Sequence, residues 1–383
     1  EMCIRDSSWT QGTAKPTFAI CAAAYRDPFA QRAHDQIPFK YPQLIWLHLV
    51  PWDAGVQAET PSDLPLAALF RTLGHVYTRS AWETPDATWA MFQCGPIFAG
   101  HQHLDNNSFV IFKRGSLAID SGVNEYSSHR ANYYGRSVAH NTILVYDQSE
   151  VFPDAVWSSQ GKGGSNDGGQ RRVAFPTRVR APDDHKAVRD TGRITAFVNR
   201  EPYCYACGDA TESYSPKKLR RFTRQFVHLR PDTFVVFDRV DATSASYPKT
   251  WLFHSIDEPV FPNTRSSFRV KQNGGRLDVW TLLPQDAATT AIGGSGKEYW
   301  VNGENYPPHE TRDSEAGAWR VEVKPTRESA SDLFLHVLIA SDVGHSQSLP
   351  QVKLSLRDGQ TAVVEIAGAS SKATLQFLSL IHI

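Results

Sequence analysis

Gly100-His101-Gln102-His103-Leu104-Asp105-Asn106 leads into the alternating run Ser108 to Lys113, the turn Arg114-Gly115 and a returning run, Ser116 to Ile119. Two such runs joined by a short Gly-containing turn predict a β-hairpin. The hairpin carries Asp120 back toward the end where His103 stands. Side chains of an extended segment alternate faces, so His101 and His103 project together if their stretch is strand-like. Thr142 to Tyr146 predicts a third strand, entered directly from Ala139-His140-Asn141. His103, Asp120 and His140 can therefore converge. Two imidazoles and one carboxylate with an open position suit Zn²⁺.

Outward from this hairpin the chain keeps its β character. Ala67 to Tyr77, Ala87 to Phe92, Val173 to Val179, Ile194 to Val198, Arg224 to Leu229, Thr233 to Asp238 and Thr250 to His254 are short and β-branched or aromatic. Gly, Pro, Asp or Asn bound them, which predicts an antiparallel β-sandwich. Trp319 to Val323, Asp332 to Ile339, Gln351 to Leu356 and Thr361 to Ile366 alternate too. They are either outer strands of that sandwich or a smaller C-terminal β-domain. Gly161 to Gly169 reads as a mobile loop without phosphate-cradling spacing. Before residue 55 the pattern is helical: Ala22-Ala23-Ala24-Tyr25 and Phe29-Ala30 share a stripe, and Leu44 to Leu49 forms a short apolar helix or turn. Pro51 and Glu59-Thr60-Pro61-Ser62-Asp63 break it.

Gly100 to Asp105, Asp120-Ser121-Gly122 and Arg136-Ser137-Val138-Ala139-His140-Asn141 together resemble the three-part motif of the heparinase II/III-like polysaccharide lyases. Asp209 to Tyr214 and Phe234 to Val240 extend the resemblance, over roughly residues 60 to 340. It implies zinc held by His103, Asp120 and His140, with His101 as the active-site histidine beside the metal. It also implies a mostly β fold: a central antiparallel β-sandwich, a helical remnant of an N-terminal α/α-toroid, and a small C-terminal β-domain. The expected division is 8–58 for the helical remnant, 59–305 for the sandwich with its metal site, and 306–377 for the last β-domain or outer strands.

The activity implied is β-elimination on a uronic-acid polysaccharide. A base removes the C5 proton beside the carboxylate, an acid protonates the departing oxygen at C4, and a polar group neutralises the carboxylate. In the family a Tyr and a His of the toroid supply most of this, so the main acid/base pair is expected outside this chain. On the sandwich side His101 and Tyr126 or Tyr134 are the expected catalytic or cleft residues. Arg136 and Tyr133 are the expected substrate contacts. β-Elimination needs no metal-bound water, so the zinc reads as structural rather than catalytic. Asp105 and Asn141 read as supporting groups behind the ligands. The expected partner is an acidic polysaccharide or oligosaccharide: heparin or heparan sulfate, another glycosaminoglycan, or alginate. The family implies a periplasmic or secreted bacterial protein, and a homodimer is compatible with the sequence.

Forty basic and 40 acidic residues balance across the 383, so no global charge marks a nucleic-acid partner. No apolar stretch approaches the ~20 residues of a membrane span, which argues against membrane insertion. The many Trp, Tyr and Phe residues read mainly as sandwich core. Cys204-Tyr205-Ala206-Cys207 lacks a second ligand pair and reads as two packed thiols or a disulfide at a strand edge. The basic run Lys217 to Arg224 reads as a solvated strand face in preference to a sulfate-binding one. His254, His309, His336 and His345 have no partners at ligand spacing and receive no role.

Leu378-Ser379-Leu380-Ile381-His382-Ile383 translates one strand of a transposon adapter, and Glu1 to Ser7 translates the other. Residues 1–7 and 378–383 are accordingly read as adapter scars and kept out of the fold argument. Two readings of another class compete. A cupin-type metalloenzyme wants a Glu four or five residues after the second His, where Asn107 and Ser108 stand. A non-catalytic carbohydrate-binding β-sandwich with a structural zinc is the stronger alternative.

Overall fold

Alternation along the later strands decides the layering, and it is visible in a computed structural model that describes residues 8–37, 53, 55–97, 102–123, 127–152, 164–171, 190–262, 266–309, 316–344, 350–357, 361–368 and 372–378. The chain forms two units, Glu1–Pro65 with Ala81–Pro85, and Leu66–Ser80 with Asp86–Ile383. The Leu44 to Leu49 and Val173 to Val179 expectations fall outside the described residues.

The smaller unit carries helices α1 (Ser8–Tyr25) and α2 (Pro28–Gln36). Asp27 starts α2: its carboxylate accepts from the Phe29 and Ala30 amides at 2.8 and 3.0 Å, and Pro28 needs no such partner. Lys15 of α1 finishes α2 by donating to the carbonyls of His34 and Ile37, each at 2.7 Å. A cation is favourable there because the last carbonyls of a helix are unpaired and partly negative.

In the larger unit β1 (Ala67–Phe70), β2 (His75–Arg79), β3 (Trp89–Gln93), β4 (Ser108–Phe112) and β5 (Ser116–Ala118) form a five-stranded meander. A four-stranded sheet follows the order β14 (Ala288–Gly293), β17 (Trp319–Lys324), β11 (Lys249–Ser255), β6 (Ile143–Val145). A seven-stranded sheet follows β12 (Ser267–Gln272), β13 (Gly275–Leu283), β18 (Ser331–Asp342), β10 (Thr233–Ala242), β9 (Leu219–Leu229), β8 (Tyr203–Asp209), β7 (Arg193–Arg200). The hairpin β15 (Trp300–Val301) and β16 (Glu304–Asn305) and the sheet β19 (Gln351–Arg357), β20 (Thr361–Ala367), β21 (Lys372–Leu378) complete the set. All these pairings are antiparallel, and none closes a barrel.

The seven-stranded sheet is buried on both faces at its centre. On β10, Phe234, Val236 and Val240 face the main core with Phe92, Phe109, Ile143 and Trp251 of the two smaller sheets. Val235 and Phe237 face a second core with Val364, Ile366 and Phe377 of the last sheet. Burying each such side chain stabilises the fold by roughly 1.5–3 kcal/mol. This two-sided burial explains why Phe234 to Phe237 is an unbroken apolar run and not an alternating one.

Ala67 to Tyr77 is a hairpin and not the single strand that its composition suggests, since Phe70 pairs with His75. Gly74 makes the turn at φ +70, and a Cβ there would stand 2.1 Å from the Cys94 carbonyl oxygen. Only glycine fits. Cys204 and Cys207 are free thiols, so the disulfide alternative falls. The separation of three along one strand explains it: Cys204 is buried in the main core while Cys207 is half-buried on the opposite face.

Candidate metal centre

The β4–β5 hairpin does what its sequence predicts. It returns the chain to Asp120, and the Ser121 amide then donates to the Ala139 carbonyl at 3.0 Å, setting Asp120 beside His140. His140 follows a 3-10 turn, Ser137–Ala139, and precedes β6. His103 lies in the loop before β4 rather than on a strand. Its neighbour Leu104 is held on both backbone groups, by the Gly135 carbonyl at 3.3 Å and the Ser137 hydroxyl at 2.6 Å.

One ligand atom from each of His103, Asp120 and His140 lies within 4.8 Å of the others. Both histidines are buried, and the His140 ring stands 5.3 Å from that of His103. His140 Nδ1 faces the Asp120 carboxylate, while its Nε2 is buried without a hydrogen-bond partner. Such an orphaned nitrogen is costly unless something binds it. Burial opposes a charge on His140, yet the adjacent Asp120 carboxylate wins and raises its pKa, with Asp105 and Asp167 adding to it. Asp105 is itself pushed up by burial and by the like charge of Asp120. Two imidazoles and one carboxylate converging on one point, with an orphaned imidazole nitrogen among them, fit a divalent cation of zinc type.

The residues around the ligands are less exposed than their sequence reading implies. Tyr134 is 3% exposed, its ring edge-on to His103 at 4.3 Å. Tyr133 is 1% exposed and hydrogen-bonds the Ser121 hydroxyl at 3.0 Å. Arg136 is also buried; it donates to Asp167 at 2.7 Å and lies 4.0 Å over the Phe152 ring. Tyr133, Tyr134 and Arg136, read from the sequence as catalytic or substrate contacts, are thus buried in this chain. The tandem tyrosines and the arginine sit in a π-helical turn, Arg130–Tyr134, and the bend after it, which turn them inward. Gly122 permits this at φ +103, for a Cβ there would come within 2.6 Å of the Tyr134 ring. His101 and Tyr126 lie outside the described residues.

Four features escaped the sequence reading. His129 accepts from the Val123 amide at 3.0 Å and donates to the Tyr306 carbonyl at 2.6 Å, fixing its tautomer beneath Tyr133 and Tyr134. Asp167, in the supposedly mobile Gly-rich stretch, is buried and accepts from Arg136 and the Val138 amide. That part of the loop is anchored; residues 161–163 lie outside the described set. His254 donates to the Val138 carbonyl at 2.9 Å and is kept neutral by burial, well below its ordinary pKa. The basic run is not a solvated face at Lys218 or Arg224, both of which are fully buried. Lys218 bonds Glu150 and the carbonyls of Gly168 and Gly169. Asn141, adjacent to His140, and Asp105, close enough to His140 and Asp120 to shift with them, were legible as supporting groups.

A sequence model described as heparinase II/III-like, C-terminal, matches residues 64–343. Among solved structures, the chain is similar to a heparan sulfate lyase HepC mutant from Pedobacter heparinus at 15% identity and a TM-score of 0.62, over 97% of this chain and 49% of that one. It is similar to a heparinase III gene product with methylated lysines at 13% identity and 0.60, over 96% and 47%. A structure titled heparinase III gives 15% identity and 0.54, over 87% and 45%. The chain spans about half the length of these structures. No curated protein matches it.

Proposed function

The chain belongs to the heparinase II/III-like, C-terminal family, and from that premise we propose that it is the β-sandwich part of a polysaccharide lyase with a zinc site. The substrate proposed is an acidic, uronic-acid-containing polysaccharide, of heparan sulfate type in preference to alginate type. The reaction is β-elimination. The observation that carries the reading is the meeting of His103, Asp120 and His140 from three separate segments.

In this proposal those three residues hold the zinc. When bound, zinc supplies a fixed positive charge that neutralises Asp120 and locks the three segments together. Its role is structural, because removing a C5 proton and expelling the C4 oxygen require an acid and a base but no metal-bound water. His101, two residues before His103 in the sequence, is the proposed polar group at the substrate, and Tyr126 the proposed cleft tyrosine. Tyr133, Tyr134 and Arg136 act behind the ligands. The main acid/base pair is proposed to lie in the part of the lyase architecture that this chain does not span. Among the described residues no helix is long and apolar enough to cross a membrane; a periplasmic or secreted location is proposed from the family.

Elemental analysis of the purified chain beside His140→Ala tests the site. About one zinc per chain, lost in the variant, is the expected result. No metal in either would sink the zinc reading and favour a metal-free carbohydrate-binding sandwich. An assay of unsaturated product by absorbance, on heparan sulfate and alginate, tests the chemistry. The chain alone is expected to bind with little turnover. Turnover equal to that of a full-length lyase would refute the assignment of the acid/base pair elsewhere.

A further inference from the structure

Arg224 stands on β9, paired across the sheet with Asp238 of β10. Neither side chain has any exposure. One edge of the guanidinium is bidentate on Asp238, Nε to Oδ1 at 2.6 Å and Nη2 to Oδ2 at 2.7 Å. Such a pair fixes the plane of the guanidinium. The remaining Nη1 donates to two backbone carbonyls, Asn107 and Asn141, each at 2.6 Å. These belong to different segments: Asn107 follows His103 by four residues, and Asn141 follows His140 directly. The Asn141 carboxamide then extends the link. Its Nδ2 donates to the carbonyl of Ile119, the residue before Asp120, and to that of Phe109, both at 2.8 Å. One guanidinium and one carboxamide therefore connect all three segments that carry the candidate ligands.

A buried ion pair is weak evidence of stabilisation, since losing hydration offsets most of the attraction. What this pair supplies is direction. Lysine could keep the charge opposite Asp238, but a single ammonium cannot hold a carboxylate in two places and reach two more carbonyls in a fixed fork. We propose that Arg224, oriented by Asp238, is a positioning residue that sets the spacing of His103, Asp120 and His140 before a metal arrives. The proposal rests on the metal reading above. It predicts an effect on metal affinity separable from the effect on folding.

The test is the zinc dissociation constant, by competition with a chromophoric chelator, together with the melting temperature of the metal-free chain. Arg224→Lys is expected to keep one zinc per chain and to weaken it about 10–100-fold, as loss of a group supporting ligands does. Lys249→Met is the control. Lys249 is also buried and paired, with Asp332 at 2.9 Å, but its ammonium bonds none of the ligand segments. This variant should melt earlier and bind zinc as tightly as the parent. Asp238→Asn, which keeps the shape and loosens the fork, should weaken zinc by an intermediate factor and stands in if Arg224→Lys does not fold. Unchanged affinity in both fork variants, or equal weakening in Lys249→Met at the same loss of melting temperature, would overturn the inference while leaving the metal site intact. A parent chain that takes up no zinc would overturn both.

Discussion

His103 and His140 are buried at the candidate site, and His228 and His336 are as deeply buried in the seven-stranded sheet, yet His140 and the latter two are in opposite electrostatic situations. Beside His140 stands the Asp120 carboxylate, which raises its pKa in spite of burial. His228 stacks on Phe234 at 4.3 Å and bonds the Thr78 hydroxyl and the Pro231 carbonyl, each at 2.9 Å. Burial pushes it down to about 4, against the pull of the Pro231 carbonyl. His336 stacks on Trp251 at 3.7 Å and is driven well below its ordinary value by burial, with Arg224 acting in the same direction. Burial is common to all four, so burial does not make a ligand. The neighbouring carboxylate is what sets His140 apart and would make its pocket receptive to a cation: a hydroxyl and a carbonyl satisfy His228, and His336, whose Nε2 also lacks a hydrogen-bond partner, has an aromatic face and no carboxylate to favour its charge.

The largest effect that separates the two groups is metal-linked stability. A ligand bound only by the folded chain adds roughly 4 kcal/mol at a thousandfold excess over its dissociation constant. Adding zinc should therefore raise the melting temperature of the parent, and a chelator should reverse the gain. His103→Ala with Asp120→Ala should abolish that response, while His336→Phe should lower the baseline and keep the response whole. Calorimetry with and without chelator measures it. A zinc response that survives the double variant, or disappears in His336→Phe, breaks the distinction between the groups.

The legible part of the molecule was the part whose partners are close in sequence. The hairpin Ser108–Ala118 and the segment ending at His140 follow from local turn chemistry, so the convergence of His103, Asp120 and His140 could be read from spacing and motif. Lys218 and Arg224 could not. A charge in a basic run reads as solvent-facing unless its partners are known, and here they lie far away: Glu150 for Lys218 in the turn before β9, Asn107 and Asn141 for Arg224 on β9. The burial of Tyr133, Tyr134 and Arg136 was not legible for a related reason. Their inward orientation depends on Gly122 making room and on Asp167 arriving from a stretch that glycines make look mobile.

The second effect is a pH dependence and sharpens the comparison from the core side. An unfolded histidine titrates near 6.5, and folded His228 is pushed down to about 4. Below pH 6.5 the unfolded chain binds a proton that the folded chain refuses, so stability falls as pH falls. The difference amounts to about 3 kcal/mol between pH 6.5 and 4 for this residue alone. In chelator, to remove metal linkage, His228→Gln should be less stable at pH 7 and lose less on acidification. Denaturant melts across that range give both numbers. Identical slopes in the two chains would mean that His228 is not held neutral by the fold.

The smallest effect decides whether the carboxylate or the aromatic neighbour governs the ligand histidines, because both groups have such a neighbour. Tyr134 meets His103 edge-on at 4.3 Å, much as Trp251 covers His336 at 3.7 Å. A ring contact of this kind is worth about 0.5–1.5 kcal/mol beyond the area it buries. If the carboxylate governs, Tyr134→Leu should still take up one zinc, with affinity reduced about tenfold or less, since 1.4 kcal/mol is a factor of ten. Titration calorimetry of zinc into the metal-free variant reads both stoichiometry and affinity. Loss of the zinc altogether would instead make the ring that fixes His103 the deciding contact, and Asp120 a follower of the geometry that the ring imposes.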